Sequence, residues 1–324
     1  MKALLKKGRN SDPLPSYRKN PVGKRIKKSL RDYWQMYLML LLPLVYILIF
    51  HYYPMLGLQI AFKKYSPRAG IWGGKFVGFD YFIKFFTSYK FKEVVRNTFV
   101  ISFYSVIAQM PVPILLALSL NSVRNKYYKK TVQLLSYMPH FISTVVIVSM
   151  LMQIFNTRYG LFAIIAQLFG AKLPDVFASP SSFPHLYVWS GIWQNAGWAS
   201  IIYLASLSSV DPELHEAAII DGASRFQRIL YIDLPTLIPT ASILLILNMG
   251  RVMGIGFEKA YLMQNSLNIS ASEIIATYTY KIGLTGNIDY SYATAIGLFN
   301  SVVNLTLVLI FDKLSKKLSG SGLF

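Results

Sequence analysis

The sequence predicts an all-α membrane protein with six transmembrane helices. Three observations predict it. Hydrophobic residues make up 54% of the 324 positions. Mean hydropathy is +0.41, too apolar for a soluble domain of this length. Six windows also reach the roughly 20 mostly apolar residues that a bilayer crossing needs.

In chain order, residues 1–33 are a basic arm rich in Lys, Arg, Pro and Asn. The arm reads as a solvated topology signal or an anionic-lipid contact. It does not resemble a cleavable leader. The basic stretch is too long, the apolar run after it is of spanning length, and no A-x-A site follows. The predicted spans are Trp34–Leu56, Asn97–Leu120, Val132–Phe155, Leu186–Leu207, Thr236–Phe257 and Tyr292–Phe311. Together they form a 34–311 membrane domain. Leu161–Phe169 is apolar but too short to cross, so it is expected as a re-entrant or interfacial helix. Residues 312–324 form a polar tail.

The formal charge is +19. Its placement argues against nucleic acid, because the cations are concentrated outside the apolar windows and no nucleic-acid module is present. The arm, the 121–131 loop, the 208–235 loop and the tail carry twenty Lys and Arg, against eleven in the three loops on the other side. Positive-inside bias therefore places both termini in the cytoplasm. Seven of the eleven opposing cations fall in the 57–92 loop. There Lys84, Lys90 and Lys92 alternate with Phe82, Phe85, Phe86 and Phe91. That pattern predicts an amphipathic helix on the outer membrane surface or against the bundle.

The segment Asp211–Pro235, DPELHEAAIIDGASRFQRILYIDLP, interrupts the apolar pattern. Asp211 suits an N-cap and Pro212 the first helical position. Glu213 and Glu216 sit in the opening turns, where the helix dipole favours negative charge. Gly222 stops this helix. Ser224 and Gln227 form an S-x-x-Q capping box for a second one. Pro235 either ends that helix or opens the next apolar segment.

Little chemistry is available to the chain alone. There is no phosphate-cradling G-x-x-x-x-G-K-[ST], no H-E-x-x-H and no G-x-S-x-G. His51, His140, His185 and His215 lack metal-ligand spacing, and no metal site is expected. Cysteine is absent, which excludes disulfides.

Glu216-Ala217-Ala218, Gly222, Ile232, Leu234 and Pro235 fit E-A-A-x(3)-G-x(9)-I-x-L-P at every fixed position. By this EAA motif the chain resembles the membrane permease subunits of binding-protein-dependent ABC importers. Asp221-Gly222-Ala223 and Phe226 are similar to the fuller form of the sugar branch. Phe50, Tyr52, Pro54, Met55, Gly57, Ala61 and Phe62 look like the opening pattern of the polysaccharide-permease subgroup. FVGFDYFIKFF followed by Asn97-Thr98 is similar to its V-G-x-x-x-F and N-T segment. Within it, the chain resembles the larger permease of alginate-oligosaccharide importers.

The resemblance implies the type I importer permease architecture and import of a sugar or oligosaccharide across a bacterial cytoplasmic membrane. The chain would be no enzyme. ATP and Mg would belong to a partner ATPase, and no cofactor to this chain. The implied partners are a second, related permease, two ATPase subunits, an extracytoplasmic solute-binding protein, the oligosaccharide and membrane lipid. Pro212–Asp221 would be the coupling helix docking on the ATPase, with Glu216 its polar contact. Ala217 and Ala218 would allow close approach, Gly222 the turn, and Leu234-Pro235 the brace on the fifth span. The external loops Phe155–His185 and Glu258–Tyr290 would face the binding protein.

Substrate-path candidates follow from polar residues within spans. Arg251 is ionisable in the fifth window and suits an acidic substrate, or else pairs with Glu258 or a carbonyl. Asn248 lies three residues earlier on the same face. Trp193, Gln194, Asn195 and Trp198 combine aromatic plates with amides, and Asn300 and Asn304 share a face of the sixth span. Gln109 and Gln153 are weaker cases. Such residues also serve as packing or helix-joining groups. Gly250 and Gly254 form a G-x-x-x-G expected at a close helix contact. Two other classes are an ion-driven secondary transporter and a non-transporting scaffold. The first lacks an inverted repeat or an intramembrane acid chain. Polar residues in spans four to six count against the second.

Overall fold

A computed structural model describes residues 30–249, 254, 256–286 and 288–319. They divide into two compact units, one ending at Gly57 and one beginning at Leu58.

The first unit is helical. α1 is Trp34–Ile47 and passes into a π-helical turn, Leu48–Tyr52, then a short turn at Tyr53–Met55. The wide turn ends two residues before Pro54. Proline lacks an N–H and its ring crowds the carbonyl four residues back, so a looser turn ahead of it relieves the clash.

The second unit is a helical bundle. In order it contains α2 (Asp80–Thr87), α3 (Tyr89–Gln109), α4 (Pro111–Ser122), α5 (Lys126–Tyr137), α6 (Thr144–Ile154), α7 (Leu161–Leu168) and α8 (Phe183–Leu207). Then come α9 (Pro212–Ile220), α10 (Arg225–Arg228), α11 (Leu234–Met249), α12 (Phe257–Met263), α13 (Ile275–Leu284) and α14 (Tyr290–Ser319). A two-residue antiparallel pairing joins Lys63–Lys64 to Lys75–Phe76.

Among the described residues, four helical stretches are long and apolar enough to cross a membrane: Trp34–Phe62, Tyr89–Ser122, Arg225–Met249 and Tyr290–Lys313. A bent pair, Lys126–Phe141 with Thr144–Ile154, makes five. The fourth expected span is α8. Its 25 residues give roughly 37 Å at 1.5 Å per residue, but its Ser, Asn, Gln and His residues dilute its apolar character.

The third span differs from the continuous Val132–Phe155 helix that the sequence predicts. It is broken, with a bend of 103° between its halves. Pro139 sits in a tight turn, Met138–Phe141, that ends the first half. Ser143 caps the second by accepting from Val146 N at 3.4 Å. Both breakers lie inside an apolar run.

Three apolar clusters hold the bundle. Ala117 and Leu118 of α4 meet Tyr203 and Leu207 of α8 and Leu237 and Ala241 of α11. Ile101, Val148, Tyr187, Val188 and Met263 join α3, α6, α8 and α12. Phe85 of α2 packs with Val94, Ile275, Tyr292 and Ile296. The amphipathic helix therefore lies against the bundle. The helix ends at Thr87, and Ser88 caps α3: Lys84 of α2 pairs with Asp289 at 3.3 Å, and Lys90, in the first turn of α3, with Glu93 at 2.9 Å and Glu273 at 2.8 Å. These carboxylates offset part of the positive charge that runs against the topology rule.

Asn97 and Thr98 clamp the same end. Asn97 Nδ2 donates to Ser270 O at 2.9 Å and Glu273 O at 3.0 Å. Thr98 Oγ1 accepts from Ile275 N at 2.9 Å. Nearby, Asn265 and Asn268 each donate to Phe177 O at 2.8 Å. The two long loops at the Phe183 end of α8 are thereby fastened together.

Candidate functional site

At the Leu207 end of α8, the Asp211–Pro235 loop forms two capped helices. Asp211 Oδ1 accepts from Glu213 N at 3.0 Å. α9 closes with a Schellman pattern: Gly222 N donates to Ile219 O at 3.0 Å and Ala223 N to Ala218 O at 2.8 Å. Gly222 has φ +81°, and a Cβ there would meet nothing within 4 Å. Backbone conformation, not space, therefore favours glycine. Ser224 and Gln227 form the capping box, with bonds of 2.7 and 3.3 Å.

α10 does not end at Pro235. A π-helical turn, Ile229–Asp233, carries it into α11, so the proline opens the fifth span. As at Pro54, the wide turn ends two residues before the ring. Ile229 and Leu234 pack on the α4–α8–α11 cluster, which seats the loop's second half in the bundle.

The first half faces outward. Glu216, Ala217 and Asp221 are exposed and Ala218 is half-buried. Leu214 (56%), Ile219 (55%) and Ile220 (85%) are also largely exposed. A nine-residue helix showing three large aliphatic side chains gains little stability by itself. Such a face is suited to a partner's groove. His215 ties α9 back to the bundle, its Nε2 standing 3.3 Å from Asp233 Oδ1. The role of His215 is not legible in the sequence, because its partner lies 18 residues away beyond an intervening turn.

A cavity of about 570 Å³ opens between α3, α4, α8 and α11. Gln109, Asn195, Trp198 and Asn248 line it together with apolar residues. Asn195 Nδ2 donates to Gly191 O at 3.0 Å. Its Oδ1 lies 3.0 Å from His140 Nδ1, so the imidazole Nδ1–H donates. His140 stacks on Trp198 with centroids 4.7 Å apart and planes 4° from parallel. Amide, imidazole and indole are thus locked as one polar-aromatic wall.

Other sequence candidates lie elsewhere. Gln194 donates to Ile142 O at 3.2 Å, fastening the break in the third span. Trp193 and Gln153 are exposed and Asn300 and Asn304 half-buried, and none of the four lines this cavity. Arg251 and Gly250 lie outside the described residues.

Lys259 is a residue the sequence reading passed over. It is 8% exposed, and its Nζ donates to Tyr187 O at 2.8 Å while lying 4.9 Å from the Tyr187 ring centre. A Cβ on Gly191 would stand 3.3 Å from Lys259 Nζ and 3.4 Å from Gln109 Nε2. The lysine is therefore held just behind the Gly191 wall of the cavity. Burial pushes its ammonium down to about 8. One signal was readable: a single cation in the otherwise apolar run that follows Glu258.

A helical bundle with a polar-aromatic cavity and an external capped helix defines a membrane transport permease. Residues 109–320 match the family described as binding-protein-dependent transport system inner membrane component, and the chain belongs to that family. It is 43% identical to protein LplB of Bacillus subtilis (strain 168), over 91% of this chain and 92% of that one. It is 40% identical to the polygalacturonan/rhamnogalacturonan transport system permease protein YteP of the same organism, over 94% and 95%. A solved bacterial ABC transporter involved in import of the acidic polysaccharide alginate contains a chain that superposes with a TM-score of 0.84 at 37% identity, covering 91% of this chain and 99% of that one. A second structure, of a bacterial alginate ABC transporter in complex with alginate pentasaccharide-bound periplasmic protein, gives 0.85 at 37%, covering 92% and 100%. The fold is that of a type I ABC importer permease. The chain's role is transport, not catalysis.

Proposed function

We propose that this permease carries an acidic oligosaccharide inward across the cytoplasmic membrane of a bacterium, driven by ATP hydrolysis in a separate subunit. Both termini and the coupling loop face the cytoplasm, in keeping with the twenty-to-eleven bias of cations. A second permease, two ATPase copies with their Mg and ATP, and an extracytoplasmic binding protein complete the assembly.

The outward-facing coupling helix carries this reading. Its exposed Glu216 and its apolar Leu214, Ile219 and Ile220 suit a cleft on a nucleotide-hydrolysing partner. Movement of α9 would reach α4, α8 and α11 through Ile229 and Leu234. The bundle would then alternate between outward- and inward-open states. The loop Glu258–Tyr290, with the 155–185 loop fastened to it, suits the binding protein.

Acidic cargo is favoured by likeness to the alginate importer at 37% identity and to the polygalacturonan/rhamnogalacturonan permease at 40%. Trp198 offers a plate for a sugar face, and Gln109, Asn195 and Asn248 offer amides. Arg251 remains the sequence's choice to read substrate carboxylates. The test is uptake by the assembled importer in proteoliposomes, with uronate oligomers set against neutral oligomers of equal length. The uronates should be transported and Arg251→Ala should reduce their uptake far more than that of any neutral sugar. Preference for neutral oligomers would remove the acidic assignment. Uptake by this chain without an ATPase would remove the whole reading.

A further inference from the structure

A second opening, of about 250 Å³, lies where the end of α4 meets the coupling loop. Arg124, Arg225, Arg228, His215 and Asp233 line it. Three guanidiniums face a single carboxylate, and that carboxylate already has His215 at 3.3 Å. Arg228 Nε is closed off from solvent and donates to no acceptor. A donor nitrogen shut off from water without an acceptor is costly, and here it belongs to an arginine that as a whole is half-buried. An ordinary topology signal, with its cations in water, would not leave such a nitrogen.

We infer that this pocket binds a phosphate-bearing anion, which bridges Arg124 at the end of α4 to Arg225 and Arg228 in the coupling loop. The guanidinium fork matches phosphate oxygens in pairs. Cations from two separate chain segments converge on one small opening, and the anion supplies the acceptor that Arg228 Nε lacks. The ligand then fixes the loop against α4. Two sources share this chemistry. One is an anionic lipid headgroup, since basic pockets at the ends of membrane helices take such groups. The other is free phosphate. The inference stands whether or not the transported solute is an acidic sugar.

The test uses the assembled importer in nanodiscs of phosphatidylcholine, with or without phosphatidylglycerol. Native mass spectrometry reads the retained lipid, and thermal unfolding in phosphatidylcholine discs is followed as inorganic phosphate is added. Selective retention of phosphatidylglycerol identifies a lipid ligand. A phosphate-dependent rise in the melting temperature without lipid retention identifies the free anion. In either case Arg228→Gln and Arg124→Gln should each weaken binding about tenfold, the loss expected for one charge-assisted hydrogen bond. Arg124 is exposed, so its replacement keeps the test valid if Arg228→Gln misfolds. Absence of both effects, or wild-type binding by the Arg124→Gln protein, overturns the inference.

Discussion

His215 Nε2 lies 3.3 Å from Asp233 Oδ1, so α9 is tied to the π-helical turn that leads into α11. Asp233 is 4% exposed, and His215→Ala would remove the imidazole that stands 3.3 Å from its buried carboxylate, a cost on the order of 1 kcal/mol. The strain falls on the loop rather than the bundle. Amide exchange in Pro212–Ile220 should accelerate by on the order of tenfold, with α8 unchanged. Unaltered exchange in the loop would show that the pair does not hold it.

Gly197 allows α8 to touch the backbone of α5, the first half of the broken third span. A Cβ there would lie 2.0 Å from Ser136 O and 2.4 Å from Ser136 C. Backbone atoms cannot swing away as a side chain can. Gly197→Ala should destabilise the purified protein by about 1–3 kcal/mol. Gly222→Ala, by contrast, meets no neighbour and should cost only the left-handed backbone penalty of about 1 kcal/mol. Equal melting temperatures for the two variants would contradict the packing described.

Glu273 gives the Phe183 end of the bundle a pH dependence. Burial alone would raise its carboxyl, but hydrogen bonds from Lys281 and Lys90 outweigh that and hold it below the ordinary glutamate value. With the folded pKa below the unfolded one, the unfolded chain binds the extra proton first. The stabilisation is therefore present above about pH 4.3 and disappears as pH falls through the folded value. Melting curves of wild type and Glu273→Gln should differ most near neutrality and converge in acid. Parallel curves would refute the ion-pair account.

Trp198 and Trp193 separate cavity from surface. Trp198 lines the cavity and stacks on His140 at 4.7 Å, whereas Trp193 lies outside the lining. Loss of a sugar-stacking plate is worth up to about 1.5 kcal/mol. Trp198→Ala should therefore reduce uptake by about tenfold, and Trp193→Ala should leave it near wild type. The reverse order would move the path to another face of α8.

The parts legible in the sequence were those fixed by neighbours in the chain. Asp211, Gly222, Ser224 and Gln227 act on backbone groups within five residues, and their roles in capping could be read directly. The apolar windows were readable for the same reason. The break at residues 142–143 was obscured because Pro139 and Ser143 sit within a long apolar run, and hydropathy averages over them. Contacts across the bundle left no local trace. Lys84 and Asp289 are 205 residues apart, and His140 and Asn195 are 55 apart. Lys259 shows in the sequence as a lone cation in an apolar run, but its burial follows only from Tyr187 and Gly191 being brought beside it.

The most direct measurement is ATP hydrolysis by the reconstituted importer carrying Glu216→Lys, with and without solute-loaded binding protein. Glu216 is exposed on α9, so the bundle should insert and melt as wild type does. Hydrolysis should no longer respond to loaded binding protein, and uptake should stop. Solute-dependent hydrolysis and uptake at wild-type rates would contradict entry of the driving force through this helix.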